Sequence, residues 1–143
     1  MGSVYAEIEL INAVDFGMAK RHQLDQDEVK KLRVTMLVDS GAWMMAINES
    51  IQEQLDLPLI EKRKVQLADS RIVEYPVVGP IIIKFENRTA TANAFVLQGD
   101  SEPLLGAIPM EEMDVLINPA RRELIVNPEH PHHAVMKMKG IRK

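Results

Sequence analysis

The stretch Val34-Thr-Met-Leu-Val-Asp39-Ser40-Gly41-Ala42 places one carboxylate directly after an apolar segment. Four of the five residues before Asp39 are apolar and prone to β-structure, so residues 34–38 are predicted to form a strand. Gly41 allows a sharp turn and a close approach of another segment, and the Ser40 hydroxyl can hold a loop by hydrogen bonding. Because Asp, Ser and Gly are also common in ordinary turns, the motif alone leaves a plain strand and turn as an alternative.

The composition of the chain limits the classes of function that it can have. It has 143 residues, of which 46% are apolar and 27% charged, with a net charge of −4 and no cysteine. This balance predicts one globular domain, and the lack of clustered Lys and Arg in its body argues against a nucleic-acid partner. Without cysteine, disulfides, thiol catalysis and thiolate metal sites are excluded. We expect a cytoplasmic protein without a membrane partner, because neither a signal peptide nor a membrane-spanning apolar run is visible.

Turn signals and alternating apolar residues divide the rest of the body into about eight short strands and two short helices. One helix is predicted at residues 48–57, where Asn48 can cap the N-terminus, and the other at 107–114. Gly79-Pro80 is expected to separate two strands. The predicted fold class is therefore mostly β and closed-barrel-like.

Two local expectations accompany this fold. The polar residues 12–31 are expected to form a solvated connection, with at most a helical turn in 24–32. Trp43, the only tryptophan, lies four residues after Asp39 and could line a pocket there, but packing in the core is the favoured interpretation.

Three segments in order carry a resemblance to a known family. They are Leu37-Val-Asp-Ser-Gly-Ala42, a hairpin turn at Asp69-Ser70, and Pro103-Leu-Leu-Gly-Ala107. This order resembles the single-domain, retroviral-type (retropepsin-like, clan AA) aspartic proteases, and more closely their prokaryotic members. The resemblance implies a protease domain over residues 1–128 with a polar insertion at 12–31, followed by a loosely ordered tail over 129–143.

The resemblance implies a reaction that needs two facing carboxylates. Since this chain has one Asp-Ser-Gly sequence, a complete site would need a homodimer with Asp39 from each subunit. One ionised carboxylate would activate a water, and the protonated partner would polarise the scissile carbonyl of a peptide or protein substrate. The expected function is thus an aspartic endopeptidase that needs no cofactor and no metal.

The family pattern also implies roles for residues outside the catalytic position. Residues Ser40, Gly41 and Ala42 would form the active-site loop. The flap that covers the substrate would carry Ala68, Asp69, Ser70 and Arg71 at its tip. The supporting turn would consist of Leu104, Leu105 and Gly106. The terminal strands, Leu124 to Val126 and the N-terminal one, are the expected dimer interface.

Two alternatives stay open at the level of sequence. The same fold could serve as a non-catalytic dimeric peptide-binding or assembly module, and the glycine-free flap tip, which should be stiff, leaves room for this. The tail residues His130, His132 and His133 could bind zinc or nickel, although no carboxylate or cysteine completes the set at a convincing spacing.

Overall fold

The computed structural model describes residues 2–138. Within this range the chain forms nine strands, three α-helices and one 3₁₀ turn. In chain order they are β1 (Val4–Asn12), α1 (Ala13–Lys20), the 3₁₀ turn (Gln26–Glu28), β2 (Lys31–Val38), β3 (Met45–Asn48), α2 (Glu49–Leu55), β4 (Leu59–Gln66), β5 (Ile72–Phe85), β6 (Arg88–Leu97), β7 (Leu104–Leu105), α3 (Ala107–Met113), β8 (Val115–Asn118) and β9 (Glu123–Val126). None of these helices is long and apolar enough to cross a membrane.

Seven strands form one sheet in the order β1-β2-β7-β3-β6-β5-β4, and β1 also pairs with β5 along residues 9–12. Most neighbours are antiparallel, but the short β7 runs parallel to β2 and β3 runs parallel to β6. Strands β8 and β9 form a separate antiparallel hairpin. The mostly β fold class predicted from the sequence is confirmed.

The core lies on one face of the strands that carry the predicted site. Strand β1 alternates between buried and exposed residues in its first half, and Ile8 and Leu10 are fully buried. Strand β2 buries Met36 and Val38 against the same core and ends one residue before Asp39. The alternation of buried residues therefore fixes the orientation of β2 at Val38, directly before Asp39.

The region 12–31 differs from its expectation, because it contains α1 and the 3₁₀ turn rather than only a solvated connection. The Asn12 side chain caps α1 by accepting from the Asp15 backbone N–H at 3.0 Å, and it donates to the Leu55 carbonyl at 2.9 Å. Only Ala19 of α1 is buried. The large apolar residues of α1, Val14, Phe16 and Met18, alternate along the chain instead of recurring at helical spacing, so the sequence shows no helical period here. The prediction of only two short helices was therefore wrong.

Strand β5 also differs from its expectation, because Gly79-Pro80 does not end it. The strand continues through these residues, and the ladder to β6 shifts register between Val78 and Ile81. Val78 and Ile81 on either side are buried in the core. Burial of the two flanking segments keeps them in one strand, and the shift in register accommodates the residue without an N–H group.

The start of the tail is attached to the body by hydrogen bonds. The Asp114 carboxylate accepts from Asn127 Nδ2 at 2.9 Å, from His130 Nδ1 at 2.7 Å and from the Val135 backbone N–H at 3.0 Å. The fully buried Arg88 donates to the His130 carbonyl. The tail predicted over residues 129–143 is thus attached to the body at His130 and Val135, and residues 139–143 lie outside the described range.

Candidate active site

The loop after β2 holds Asp39 by hydrogen bonds to its own chain and to β7. The Asp39 backbone N–H donates to the Leu105 carbonyl at 3.0 Å, and Leu37 donates to the Pro103 carbonyl at 2.9 Å. Within the loop, the Gly41 N–H donates to Asp39 Oδ1 at 2.9 Å. The carboxylate is partly exposed and Ser40 is exposed. One carboxylate oxygen is therefore held in place, and the group stays accessible to a water or a substrate.

The turn between β7 and α3 fastens this loop from behind. The Ala107 N–H donates to the Ala42 carbonyl at 2.7 Å, and the Ile108 N–H donates to the Trp43 carbonyl at 3.1 Å. Gly106 lies so close to the loop that a Cβ atom there would be 2.4 Å from the carbonyl oxygen of Met44. Only glycine allows this approach. The structure thus brings the predicted supporting turn and the predicted active-site loop into direct contact.

The predicted flap tip lies at the turn of the β4–β5 hairpin. The Ser70 N–H donates to the Leu67 carbonyl at 2.9 Å, with Ser70 at a φ of 70°. The Asp69 carboxylate accepts from the backbone N–H of Arg71 at 3.1 Å and from its Nε at 2.7 Å. These hydrogen bonds from Arg71 lower the pKa of Asp69 below its usual value. The tip is therefore ordered by local bonds despite having no glycine.

A largely apolar cavity of about 430 Å³ begins beside the Asp39 loop. It is lined by Ala42, Trp43, Met44, Ala46, Val65, Leu67, Tyr75, Phe95, Leu97 and Leu104. The lining comes from the active-site loop, β3, the β4–β5 hairpin, β6 and the supporting turn. Leu104 is a predicted site residue that reaches this cavity, whereas its neighbour Leu105 is fully buried in the core.

Trp43 lines this cavity and is 75% exposed, so its expected place in the core was wrong. The inner side of its backbone is already occupied, because a Cβ on Gly106 would lie 2.8 Å from the Trp43 carbonyl carbon. The indole therefore projects away from the core. Its closeness to Asp39 in the sequence was the one signal for this position. No sequence signal identified Tyr75 or Phe95 as lining residues.

A second cavity of about 620 Å³ adjoins the first. The two share Leu67, Tyr75 and Leu97. The second cavity is also lined by Glu49, Arg71, Val73, Glu74, Pro76, Val96, Gln98 and Ser101. Through these shared residues the cavities form a groove, which is apolar beside Asp39 and more polar further away. Of the predicted flap residues, Arg71 lines the groove, whereas Ala68, Asp69 and Ser70 do not.

The tail histidines do not gather into a ligand set within the described residues. The ring of His130 is bound by Asp114. Between residues 2 and 138 the one group of three potential metal ligands within reach of each other is Asp25, Asp27 and Glu28, all exposed. These carboxylates belong to the 3₁₀ turn and its N-cap, and exposed acidic groups of this kind are common without a metal.

Comparisons with known proteins identify the fold and the family of the chain. The retroviral protease-like domain of Ddi1 from Leishmania major matches with a TM-score of 0.55 and 14% identity over 90% of each chain. At that identity the match shows the fold, which is that of the retropepsin-like aspartic proteases. A family model described as aspartyl protease matches residues 26–119, a segment with the Asp39 loop, the hairpin and Gly106. The chain belongs to this aspartyl protease family. No curated protein matches the chain significantly.

Proposed function

We propose that the protein is an aspartic endopeptidase whose active site is completed by Asp39 of a second copy. The observation that carries the proposal is the accessible Asp39 carboxylate beside a peptide-sized groove, in a loop tied by backbone hydrogen bonds to Leu105 and Ala107. Because the chain has one Asp-Ser-Gly sequence, the second carboxylate must come from another molecule.

The reaction follows from placing two Asp39 carboxylates in contact. Two such groups cannot both ionise cheaply, so they share one proton and titrate as a pair. The ionised carboxylate takes a proton from water as the water attacks the peptide carbonyl, and the protonated one donates to the carbonyl oxygen. Collapse of the tetrahedral intermediate breaks the C–N bond and returns a proton to the leaving amine. Ser40 would brace the loop against its symmetry mate.

The β8–β9 hairpin is the part of the chain that we propose as the dimer interface. In the described range, β8 and β9 pair only with each other, and Leu116 on β8 is a large apolar residue with 45% exposure. Strand β1 is a weaker candidate, because β2 pairs along most of it and β5 takes its other edge at residues 9–12. We also propose that the main sheet closes into a barrel, and the β1–β5 ladder supports this closure.

The proposal is tested by cleavage of an unstructured peptide mixture between about pH 4 and about pH 7.5, with the oligomeric state measured in the same buffers. Asp39→Asn should lower the cleavage rate by about 10³-fold or more, since it removes the acid–base pair. Asp27 is an exposed carboxylate in the 3₁₀ turn. The variant Asp27→Asn is therefore the matched control and should cleave peptides like the wild type. Cleavage that survives Asp39→Asn would refute the mechanism.

One observation favours a second candidate function, a non-catalytic peptide-binding module. At the flap tip, Arg71 donates two hydrogen bonds to the Asp69 carboxylate, and the tip has no glycine. Opening and closing of the flap should therefore be restricted. A wild-type dimer that binds peptides but leaves them intact, with the same affinity as Asp39→Asn, would support this function over catalysis. Cleavage of the peptides by the wild type would instead support the endopeptidase function.

A further inference from the structure

The cavity beside Asp39 is lined by half of the aromatic side chains in the chain. The sequence has one Trp, two Tyr and three Phe, and of these Trp43, Tyr75 and Phe95 line this cavity. None of its lining residues, all of which belong to the described range, carries a charge. The cavity is therefore suited to an uncharged side chain, to which it offers the faces and edges of three rings.

The strand register explains why two of these rings meet on one side of the sheet. Ala46 on β3 pairs with Phe95 on β6 and with Leu104 on β7. Phe95 also pairs with Val77 on β5, and Tyr75 lies two residues before Val77, on the same face of that strand. The rings of Tyr75 and Phe95 lie edge to face, with centroids 6.1 Å apart and an angle of 62° between their planes. This aromatic wall is therefore built by the sheet itself.

The rings leave space and accessible surface for a ligand. Ala42 and Ala46 contribute only methyl groups to the lining, and the cavity has a volume of about 430 Å³. Trp43 is mostly exposed, and Tyr75 and Phe95 are each partly exposed. A ring that enters the cavity can therefore cover apolar surface on all three aromatic residues, and burial of that surface favours binding.

We infer that this cavity is a specificity subsite for an aromatic side chain of the substrate, with Trp43, Tyr75 and Phe95 as the specificity-determining residues. Aromatic pairs gain more than their buried area provides, by a margin that corresponds to about two- to tenfold in affinity. The subsite should therefore distinguish a phenyl ring from a saturated ring of similar size. This inference rests on the proposed function and names the substrate class of the same site.

The inference is tested with alanine peptides that carry one variable residue, so that only one large side chain can enter the cavity. The variable residue is Phe, cyclohexylalanine, Leu or Glu, and affinities are measured by calorimetry on Asp39→Asn, which needs no catalysis. The Phe peptide should bind about two- to tenfold more tightly than the cyclohexylalanine peptide. The Glu peptide should bind most weakly, because within the described chain no cation lines the cavity to pair with a carboxylate.

Trp43 reports where the peptide binds, because it is the one tryptophan of the chain. Its fluorescence emission should shift to shorter wavelength with the Phe peptide, since the ligand ring covers the exposed indole. An all-alanine peptide should leave the emission unchanged. Binding of the Phe peptide without a change in emission would place the peptide elsewhere and overturn the inference.

Variants in the Asp39→Asn background test the three rings. In Trp43→Leu/Tyr75→Leu/Phe95→Leu, the ratio of Phe to cyclohexylalanine affinity should approach one. Trp43→Leu alone, at an exposed position, should lower the ratio without changing the unfolding midpoint. Phe16→Leu, which replaces an aromatic residue of α1 outside the cavity, should keep the unmodified ratio. Equal binding of the Phe and cyclohexylalanine peptides, or a preference that survives removal of the three rings, overturns the inference.

Binding and cleavage together separate failure of the subsite from failure of the endopeptidase. A Phe preference in binding that is lost with the three rings supports the subsite even if the wild type cleaves nothing. If the wild type cleaves the peptides, kcat/KM should follow the same order as the affinities. Cleavage with equal kcat/KM for the Phe and cyclohexylalanine peptides would retain the endopeptidase and overturn the subsite.

Discussion

Gly106→Ala should be among the most damaging single substitutions in this protein. An added Cβ would lie 2.4 Å from the Met44 carbonyl oxygen and 2.8 Å from that of Ala42. Both atoms belong to the backbone, so no side chain can rotate away. Relief of the clash must separate the supporting turn from the Asp39 loop, and it would stretch the 2.7 Å hydrogen bond from Ala107 to Ala42.

The magnitude follows from two contributions. Overpacking against a fixed wall costs about 1–3 kcal/mol, and three contacts below 3.0 Å with Met44, Ala42 and Trp43 place Gly106→Ala at the upper end. Weakening the hydrogen bonds that Ala107 and Ile108 donate to the loop adds about 1 kcal/mol each. We expect the free energy of unfolding to fall by about 3–5 kcal/mol. The backbone φ of Gly106 is −92°, so strain in this dihedral is not part of the cost.

Urea unfolding followed by far-UV circular dichroism measures this loss. The matched control is Gly17→Ala, because Gly17 lies inside α1 with no atom within 4 Å of the added Cβ. That variant should be more stable than the wild type by about 0.5–1 kcal/mol, since alanine favours the helix. A Gly106→Ala protein with the stability of the wild type would show that the turn does not pack on the loop.

Two further predictions concern a helix cap and a charged cluster. Asn48→Ala should lower the free energy of unfolding by about 2 kcal/mol in the urea assay. The buried Asn48 side chain accepts from the Ile51 N–H at 2.9 Å and donates to the Ser101 carbonyl at 3.0 Å, and the variant loses both bonds. An unchanged unfolding midpoint would contradict this prediction. The pKa of Asp114 is lowered from 3.8 to about 2, chiefly by the hydrogen bond from Asn127, with help from Val135 and His130. A lowered pKa favours the ionised form in the folded state, so this stabilisation is complete above about pH 4 and is lost as the pH falls to about 2. Stability of the wild type should decline across that window, and Asp114→Asn should show a smaller decline; identical acid profiles would refute the assignment.

The parts of the site that could be predicted from the sequence depend on residues close together in the chain. Asn48 caps the residue three positions after it, and Asp69 binds the residue two positions after it. The strand that ends at Val38 follows from its own residues, because four of the five before Asp39 are apolar and prone to β-structure. In each case the interaction that forms the structure lies within one short segment, so its residue types and spacing are enough to predict it.

The parts that could not be predicted depend on segments far apart in the chain. The N-cap of helix α1, Asn12, is itself held by the Leu55 carbonyl, 43 residues later. The tail is attached because Arg88 binds the carbonyl of His130, 42 residues later. Neither segment has an apolar period that would reveal its partner. The exposure of Trp43 likewise depends on Gly106, which becomes its neighbour only when β7 pairs beside β2.

A substitution at Asp39 can test function without disturbing the fold. The core is formed by side chains such as Ile8, Met36 and Leu105, and Asp39 lies outside it. Its one side-chain hydrogen bond within the described chain comes from the Gly41 N–H, and an asparagine oxygen can accept that bond equally well. Folding of a single chain therefore does not depend on the ionised carboxylate, whereas the proposed chemistry depends on it entirely. A loss of cleavage in Asp39→Asn, with the wild-type unfolding midpoint retained, can be attributed to the reaction itself.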